Sequence, residues 1–384
     1  MPKYIQADRF FYPHGIRQGG YLEITDGKFG KWTKAIPAGA DVIDYTGYSI
    51  APGLVDTHIH GFGGVDVMDN NIEGTLHTMS KGLLTTGVTS FLPTTLTSSY
   101  EQLLAVTENI GAHYQEATGA KIRGLYFEGP YFTEKYKGAQ NPIYMKNPRM
   151  DEFRAWKKAS NGLLNKIALA PEREGVEDFV RTITDEGVTV ALGHSNATFD
   201  EAKVAVDAGA SVWVHAYNGM RGLTHRELGM VGAMYELPHT YAELICDGHH
   251  VDPKACDILM KQKGHEHIAL ITDCMTAGGL EDGDYMLGEF PVVVENGTAR
   301  LKSTGNLAGS ILKLKDGLKN VVKWGIANAH QAVMMATLNP AKSVHIEDVC
   351  GQIKEGHDAD FIVLDKDLEL VATYLDGEKR YEAK

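Results

Sequence analysis

Six side chains capable of binding a metal or moving a proton stand at places where apolar runs end. His58 and His60 frame a single isoleucine, while Glu128, His194, His215 and Asp273 are far apart in the chain. On a β-strand, the period of two puts His58 and His60 on one side. Imidazole nitrogens and carboxylate oxygens together make the mixed donor set that borderline divalent metals accept. Taken singly, each residue has an ordinary structural reading: a packed or solvated histidine, a cap on the Gly129-Pro130 turn for Glu128, a helix N-cap for Asp273. Their coincidence at five strand ends favours a metal centre.

The elements that must position them are eight apolar runs alternating with helical stretches, the rhythm of a parallel sheet covered on both faces. The runs end near His58 and His60, Thr94 and Thr95, Glu128, Glu172, His194, His215, Asp247 and Asp273. Eight such units predict an α/β fold, a (β/α)8 TIM-like barrel, whose polar strand ends share the carboxyl rim where barrels build active sites. Thr198 with Glu201 fits a capping box ahead of 202–208, and Asp252-Pro253 opens a helix that Gly264 stops. Strand-like runs near both ends, such as 21–24 and 361–364, predict a small flanking β-sandwich domain formed by both termini. The expected division is residues 1–52 and 346–384 for that domain and 53–345 for the barrel. Residues 288–301 read as an inserted hairpin before a helix starting near Leu307.

Composition narrows the partners. The chain carries 37 Lys plus Arg against 50 Asp plus Glu, a net charge of −13, which argues against nucleic acid or an anionic membrane and for a small molecule. With 43% hydrophobic and 23% charged residues it has globular rather than disordered composition. No run approaches the ~18 apolar residues that span a bilayer, and the start lacks a leader-like pattern; a cytoplasmic location is the expectation. Cys246, Cys256, Cys274 and Cys350 have neither zinc-ribbon nor disulfide-scaffold spacing, so reduced thiols are expected. Cys274 alternates away from the barrel mouth, Met334 and Met335 read as core, and His14, His77, His113, His265 and His267 read as solvated.

Pro52 to His60, reading PGLVDTHIH, resembles the first-strand motif of the amidohydrolase superfamily, metal-dependent hydrolases on a (β/α)8 barrel. Phe127-Glu-Gly-Pro130, Lys137-Gly-Ala139, Gly193-His194, His215-Ala-Tyr-Asn218, Asp247-Gly-His-His250, Thr272-Asp273 and Leu307-Ala-Gly-Ser310 resemble, in order, the N-acetylglucosamine-6-phosphate deacetylase family over essentially the whole chain. The resemblance implies that Glu128, His194 and His215 hold a principal divalent metal, whether Zn, Fe, Co or Mn. It implies that Asp273 moves the proton in hydrolysis of an acetamide, giving acetate and an amino sugar phosphate. Retention of His58 and His60 implies a second ion, with Glu128 bridging and Asp273 joining. No lysine closes the fourth run, where Lys166 comes early and Glu172 ends it, so a carbamylated-lysine site is not expected.

The same resemblance implies phosphate contacts from Asn218, Gly219, Arg226 and His250, and a homodimer with its sites near the interface. Gln140 stands where the family carries a histidine reaching the phosphate held by the neighbouring subunit; a neutral amide brings hydrogen bonds there but no charge. Gln140 motivates an alternative, hydrolysis of another N-acyl amino sugar or amino acid. A non-catalytic sugar-phosphate sensor on the same barrel is the remaining reading.

Overall fold

The computed structural model describes residues 2–69 and 72–383, with the side chains of residues 72 and 73 left out. Its centre is a parallel barrel. The strands Leu54–Ile59, Val88–Thr95, Leu125–Tyr131, Leu164–Leu169, Thr189–Leu192, Val212–Trp213, Tyr241–Leu244 and Ile268–Leu270 neighbour one another in chain order. Closure comes just past the eighth strand, where Asp273 N–H donates to His58 O at 2.9 Å and Cys274 bridges Ile59 in parallel. Each strand is followed by a helix, from Ile72–Leu84 after the first to Leu314–Lys323 after the eighth.

Strand alternation sorts the side chains into two layers. On the third strand Phe127 faces outward onto Trp156 of the helix Met150–Ala159, with ring centroids 5.2 Å apart. Its neighbour Tyr126 faces inward, edge-on to the His58 ring at 4.9 Å. Glu128 repeats the inward phase two residues on, which brings it to the mouth. The expected helix signals are present: Thr198 and Glu201 form a reciprocal capping box for Phe199–Asp207, and Asp252 caps Pro253–Lys263, which Gly264 ends at a φ of 81°.

Strands Lys3–Tyr12, Gly15–Gln18, Tyr21–Thr25, Lys28–Thr33 and Asp41–Pro52 join Phe361–Leu364, Leu370–Leu375 and Glu378–Glu382 in a separate, mostly antiparallel sheet. It curls enough that a Cβ on Gly377 would meet Ile24 at 2.5 Å, and Ile5, Phe10, Leu22, Phe29, Phe361 and Tyr374 fill its own core. Lys121 and Arg123 of the barrel reach Asp358 of the C-terminal segment at 2.8 Å each, pinning sheet to barrel.

Two expectations change. The insertion after strand eight is three-stranded, Gly283–Leu287, Phe290–Glu295 and Thr298–Leu301, and Gly288 turns the chain inside it rather than beginning it. The next helix starts at Leu314, because Leu307 to Ser310 is an extended brace: Ser310 N–H donates to Asp273 O at 2.7 Å and its hydroxyl to Thr272 O at 2.6 Å. His265 and His267 are bonded into the backbone, through Ile326 O at 2.8 Å and Lys263 O at 3.0 Å, rather than simply solvated. His14 is exposed, His77 and His113 partly so. The four cysteines are free and buried, and Met334 and Met335 lie in the core. Among the described residues no helix is long and apolar enough to cross a membrane.

Candidate metal centre

Six side chains from five strand ends converge at the barrel mouth. His194 Nε2 and His215 Nε2 lie 3.1 and 3.2 Å from Glu128 Oε1, and His60 Nε2 lies 3.3 Å from Glu128 Oε2. Asp273 Oδ1 is 3.1 Å from His60 Nε2 and 3.5 Å from His58 Nε2. The donors fall into two groups, Glu128 with His194 and His215, and His58 with His60 and Asp273; within each, one ligand atom per residue lies within 4.8 Å of the others. Glu128 faces both, one oxygen toward His194 and His215 and the other toward His60.

All four rings are aimed the same way by what their Nδ1 atoms touch. His58 Nδ1 meets Glu243 Oε2 at 3.1 Å, His60 Nδ1 meets Thr94 O at 3.0 Å, His194 Nδ1 meets Tyr136 O at 2.8 Å, and His215 Nδ1 meets Asn218 O at 3.0 Å. An acceptor at Nδ1 takes the N–H there and leaves Nε2 with its lone pair turned inward, the tautomer a metal requires. His194 and His215 then present two lone pairs 3.0 Å apart, and His58 and His60 two more at 3.3 Å. Such an arrangement calls for a cation between them, so the donor set fits divalent metal. His194, His215 and Asp273 also hold positive φ values of 45°, 27° and 52°, a backbone strain characteristic of functional sites.

The electrostatics agree. Burial would raise the Glu128 carboxyl, but the imidazoles packed around it, His58 first and then His194, His215 and His60, outweigh it and hold the group well below the usual range. Burial would lower His60, yet Asp273 and Glu128 hold it well above the usual imidazole range. A centre that attracts protons this strongly attracts a divalent cation for the same reason.

A cavity of about 150 Å³ opens on the donors, lined by His60, Glu128, His194, His215 and Asp273 and by Gln140, Asn218, Gly219 and His250. Thus Asn218, Gly219 and His250 do meet the metal donors in space. Asp247 Oδ2 bonds His250 Nδ1 at 2.6 Å, leaving Nε2 for a ligand. Arg226 does not line this cavity; it is exposed, its guanidinium 2.7 Å from His225. Gln140 is placed differently from expectation. Only 3% exposed, it accepts from Thr97 N–H at 2.8 Å and donates to Glu128 Oε2, so it braces that carboxylate.

Sequence reasoning missed the layer beneath. Lys166 and Glu243 form a fully buried ion pair inside the barrel. Asp56 accepts from the Thr272 hydroxyl at 2.6 Å and from His58 N–H at 3.3 Å, and burial pushes its carboxyl up to about 7. The available signal was a charge at the inward phase of a strand, Lys166 in 164–169 and Glu243 in 241–244.

A parallel barrel with a cluster of histidines and carboxylates at its carboxyl rim is the arrangement of the metal-dependent hydrolases. Residues 49–380 match the amidohydrolase family model, and the chain belongs to that family. An N-acetylglucosamine-6-phosphate deacetylase from Vibrio furnissii is 40% identical over 90% of this chain and 86% of its own. An N-acetylgalactosamine-6-phosphate deacetylase from Escherichia coli is 36% identical over 98% of this chain and 99% of its own. Among solved structures, a point mutant of the N-acetyl-D-glucosamine-6-phosphate deacetylase of Mycobacterium smegmatis, in complex with N-acetyl-D-glucosamine-6-phosphate, superposes with a TM-score of 0.93 at 29% identity, covering 99% of each chain.

Proposed function

We propose that this chain hydrolyses N-acetyl-D-glucosamine 6-phosphate to D-glucosamine 6-phosphate and acetate. The observation that carries the reading is the pair of donor groups, with Glu128 of one reaching His58 and His60 of the other, below a cavity also lined by Asn218, Gly219 and His250. Glu128, His194 and His215 would hold one divalent ion, and His58, His60 and Asp273 a second, with Glu128 between them. When bound, such ions supply Lewis acidity toward the amide carbonyl and the attacking water. Asp273 is the proton carrier: it takes a proton from water as the oxygen bonds to the carbonyl carbon. It then delivers that proton to the amide nitrogen as the C–N bond breaks, so that an amine leaves rather than an amide anion. His250, steadied by Asp247, and the Asn218–Gly219 segment orient the phosphate end. Arg226, exposed and off its own cavity, serves the neighbouring pocket in a homodimer.

The relative from Escherichia coli, matched over nearly all of both chains, keeps the C4 epimer as a second substrate reading. Acetate release by the metal-replete protein from the two phosphorylated epimers and from unphosphorylated N-acetylglucosamine tests both. The expected order is glucosamine epimer first and the unphosphorylated sugar last. Faster turnover of the galactosamine epimer selects the second reading, and no release from either phosphate ester removes the proposal.

A further inference from the structure

Lys166 and Glu243 stand on the fourth and seventh strands, across the barrel beneath the metal donors, both fully buried. Their hydrogen-bonding capacity is consumed with nothing left for solvent. Lys166 Nζ bonds Glu243 Oε1, reaches Thr57 O at 3.2 Å, and sits 3.8 Å from the centroid of the Tyr126 ring. An ammonium has three N–H groups and no lone pair while charged, and these three partners account for them. Glu243 Oε2 accepts from His58 Nδ1 at 3.1 Å and from His215 N–H at 3.3 Å.

That geometry separates His58 from the other three histidines. His60, His194 and His215 rest their Nδ1 atoms on neutral backbone carbonyls, and His58 rests on a carboxylate. A carboxylate behind an imidazole fixes the tautomer and makes the facing nitrogen a stronger donor than a carbonyl does. A bare carboxylate in a dry barrel interior is costly, and a lysine of opposite charge in contact offsets that cost.

Resting on the two-ion reading above, we propose that the Lys166–Glu243 pair is a positioning device for His58, and that it secures the ion held by His58, His60 and Asp273 selectively over the ion held by Glu128, His194 and His215. Lys166 acts through Glu243, and Glu243 through the imidazole; neither touches substrate.

The test uses three full-length variants, Glu243→Gln, Lys166→Met and the double Lys166→Met/Glu243→Gln, beside the wild type. Bound metal is counted after dialysis, zinc affinity is measured by titration into metal-free protein, and thermal unfolding is followed in parallel. The wild type should hold two ions per chain. Glu243→Gln should weaken one of them by about 10–100-fold and leave the other within error. The double variant keeps no buried charge at either position; it should recover thermal stability relative to Lys166→Met while its weaker ion stays weak. Recovery that separates in this way is not produced by a purely structural ion pair. Two ions in the wild type with both affinities unchanged in every variant would overturn the proposal alone. Equal weakening of both ions would also overturn it, since selectivity is the claim. A wild type that saturates at one ion would overturn the two-ion reading and this proposal with it.

Discussion

Replacing Gln140 by leucine separates two roles that the sequence and the structure give the same residue. As a phosphate contact, its loss would weaken the substrate's phosphate end. As placed, the amide spans Thr97 N–H and Glu128 Oε2 and is nearly inaccessible. Thr97 N–H can only donate, so the amide oxygen must face it and the amide NH2 must face Glu128. Leucine has nearly the same volume and neither polar atom. It leaves a buried N–H unpaired, costing about 1–3 kcal/mol, and removes a hydrogen bond to a charged group worth about 1.5–3 kcal/mol. Since one side chain makes both, the expected loss in the metal-free protein is about 2–4 kcal/mol, less what the new apolar contacts return. Glu128 loses the partner that fixes its second oxygen, so metal affinity should fall about 10–100-fold. The assay is threefold: calorimetry of the metal-free variant, metal titration, and kcat/KM for the phosphorylated over the unphosphorylated sugar at saturating metal. The ratio should be unchanged. A collapsed ratio with stability and metal affinity intact would refute the placement and restore the phosphate role.

Three further outcomes are expected. Asp273→Asn should lower kcat by about 10²–10⁴-fold while an ion stays bound at Glu128, His194 and His215; retained turnover would remove Asp273 from proton transfer. Chelation should abolish activity and lower the unfolding temperature, since free metal at about a thousand times its Kd stabilises by about 4 kcal/mol; an unfolding temperature indifferent to chelator would argue against a folded-state metal centre. Burial would raise the Asp358 carboxyl, but hydrogen bonds from Lys121, Lys28 and Arg123 outweigh it and hold the group below the usual range. A depressed native value stabilises the fold above the ordinary carboxylate pKa near ~3.9 and loses that contribution as pH falls toward the native value. Asp358→Asn should therefore destabilise at pH ~7 by about 1–2 kcal/mol, screened by its partial exposure, with the gap closing below pH ~4. A gap constant from neutral to strongly acid pH would refute this linkage.

The barrel was legible because each strand end carries a polar residue where the apolar run stops, and His58-Ile59-His60 states its own geometry through a period of two. Helix starts were legible where capping chemistry is local, at Thr198 and Asp252. What linear order does not record is non-local. Gln140 occupies a motif position associated with phosphate, but the turn that ends in its N–H donating to Lys137 O at 2.9 Å carries the side chain inward to Glu128. Arg226 matches a motif position too, yet its segment leads away from its own chain's cavity, which linear order does not record. Lys166 looked like a polar opening to the fourth run. Its burial becomes readable only once the seventh strand supplies Glu243 at the matching depth, and depth across a barrel depends on register and stagger rather than sequence distance.

The centre is thereby coupled to parts of the chain that never touch a ligand. Four imidazoles present Nε2 inward only because four acceptors claim Nδ1, and three of those are backbone carbonyls at Thr94, Tyr136 and Asn218. Thr94 O is set by the second strand, Tyr136 O by a short 3-10 turn after the third, and Asn218 O by a turn in which its N–H returns to His215 O at 3.0 Å. No side-chain substitution at those three positions deletes the acceptor, whereas a shift of the backbone does. The fourth acceptor is the exception, because Glu243 can be removed by a single substitution. Gln140, whose amide braces Glu128, is the matching handle on the other side, so each half of the centre rests on one replaceable side chain as well as on backbone carbonyls.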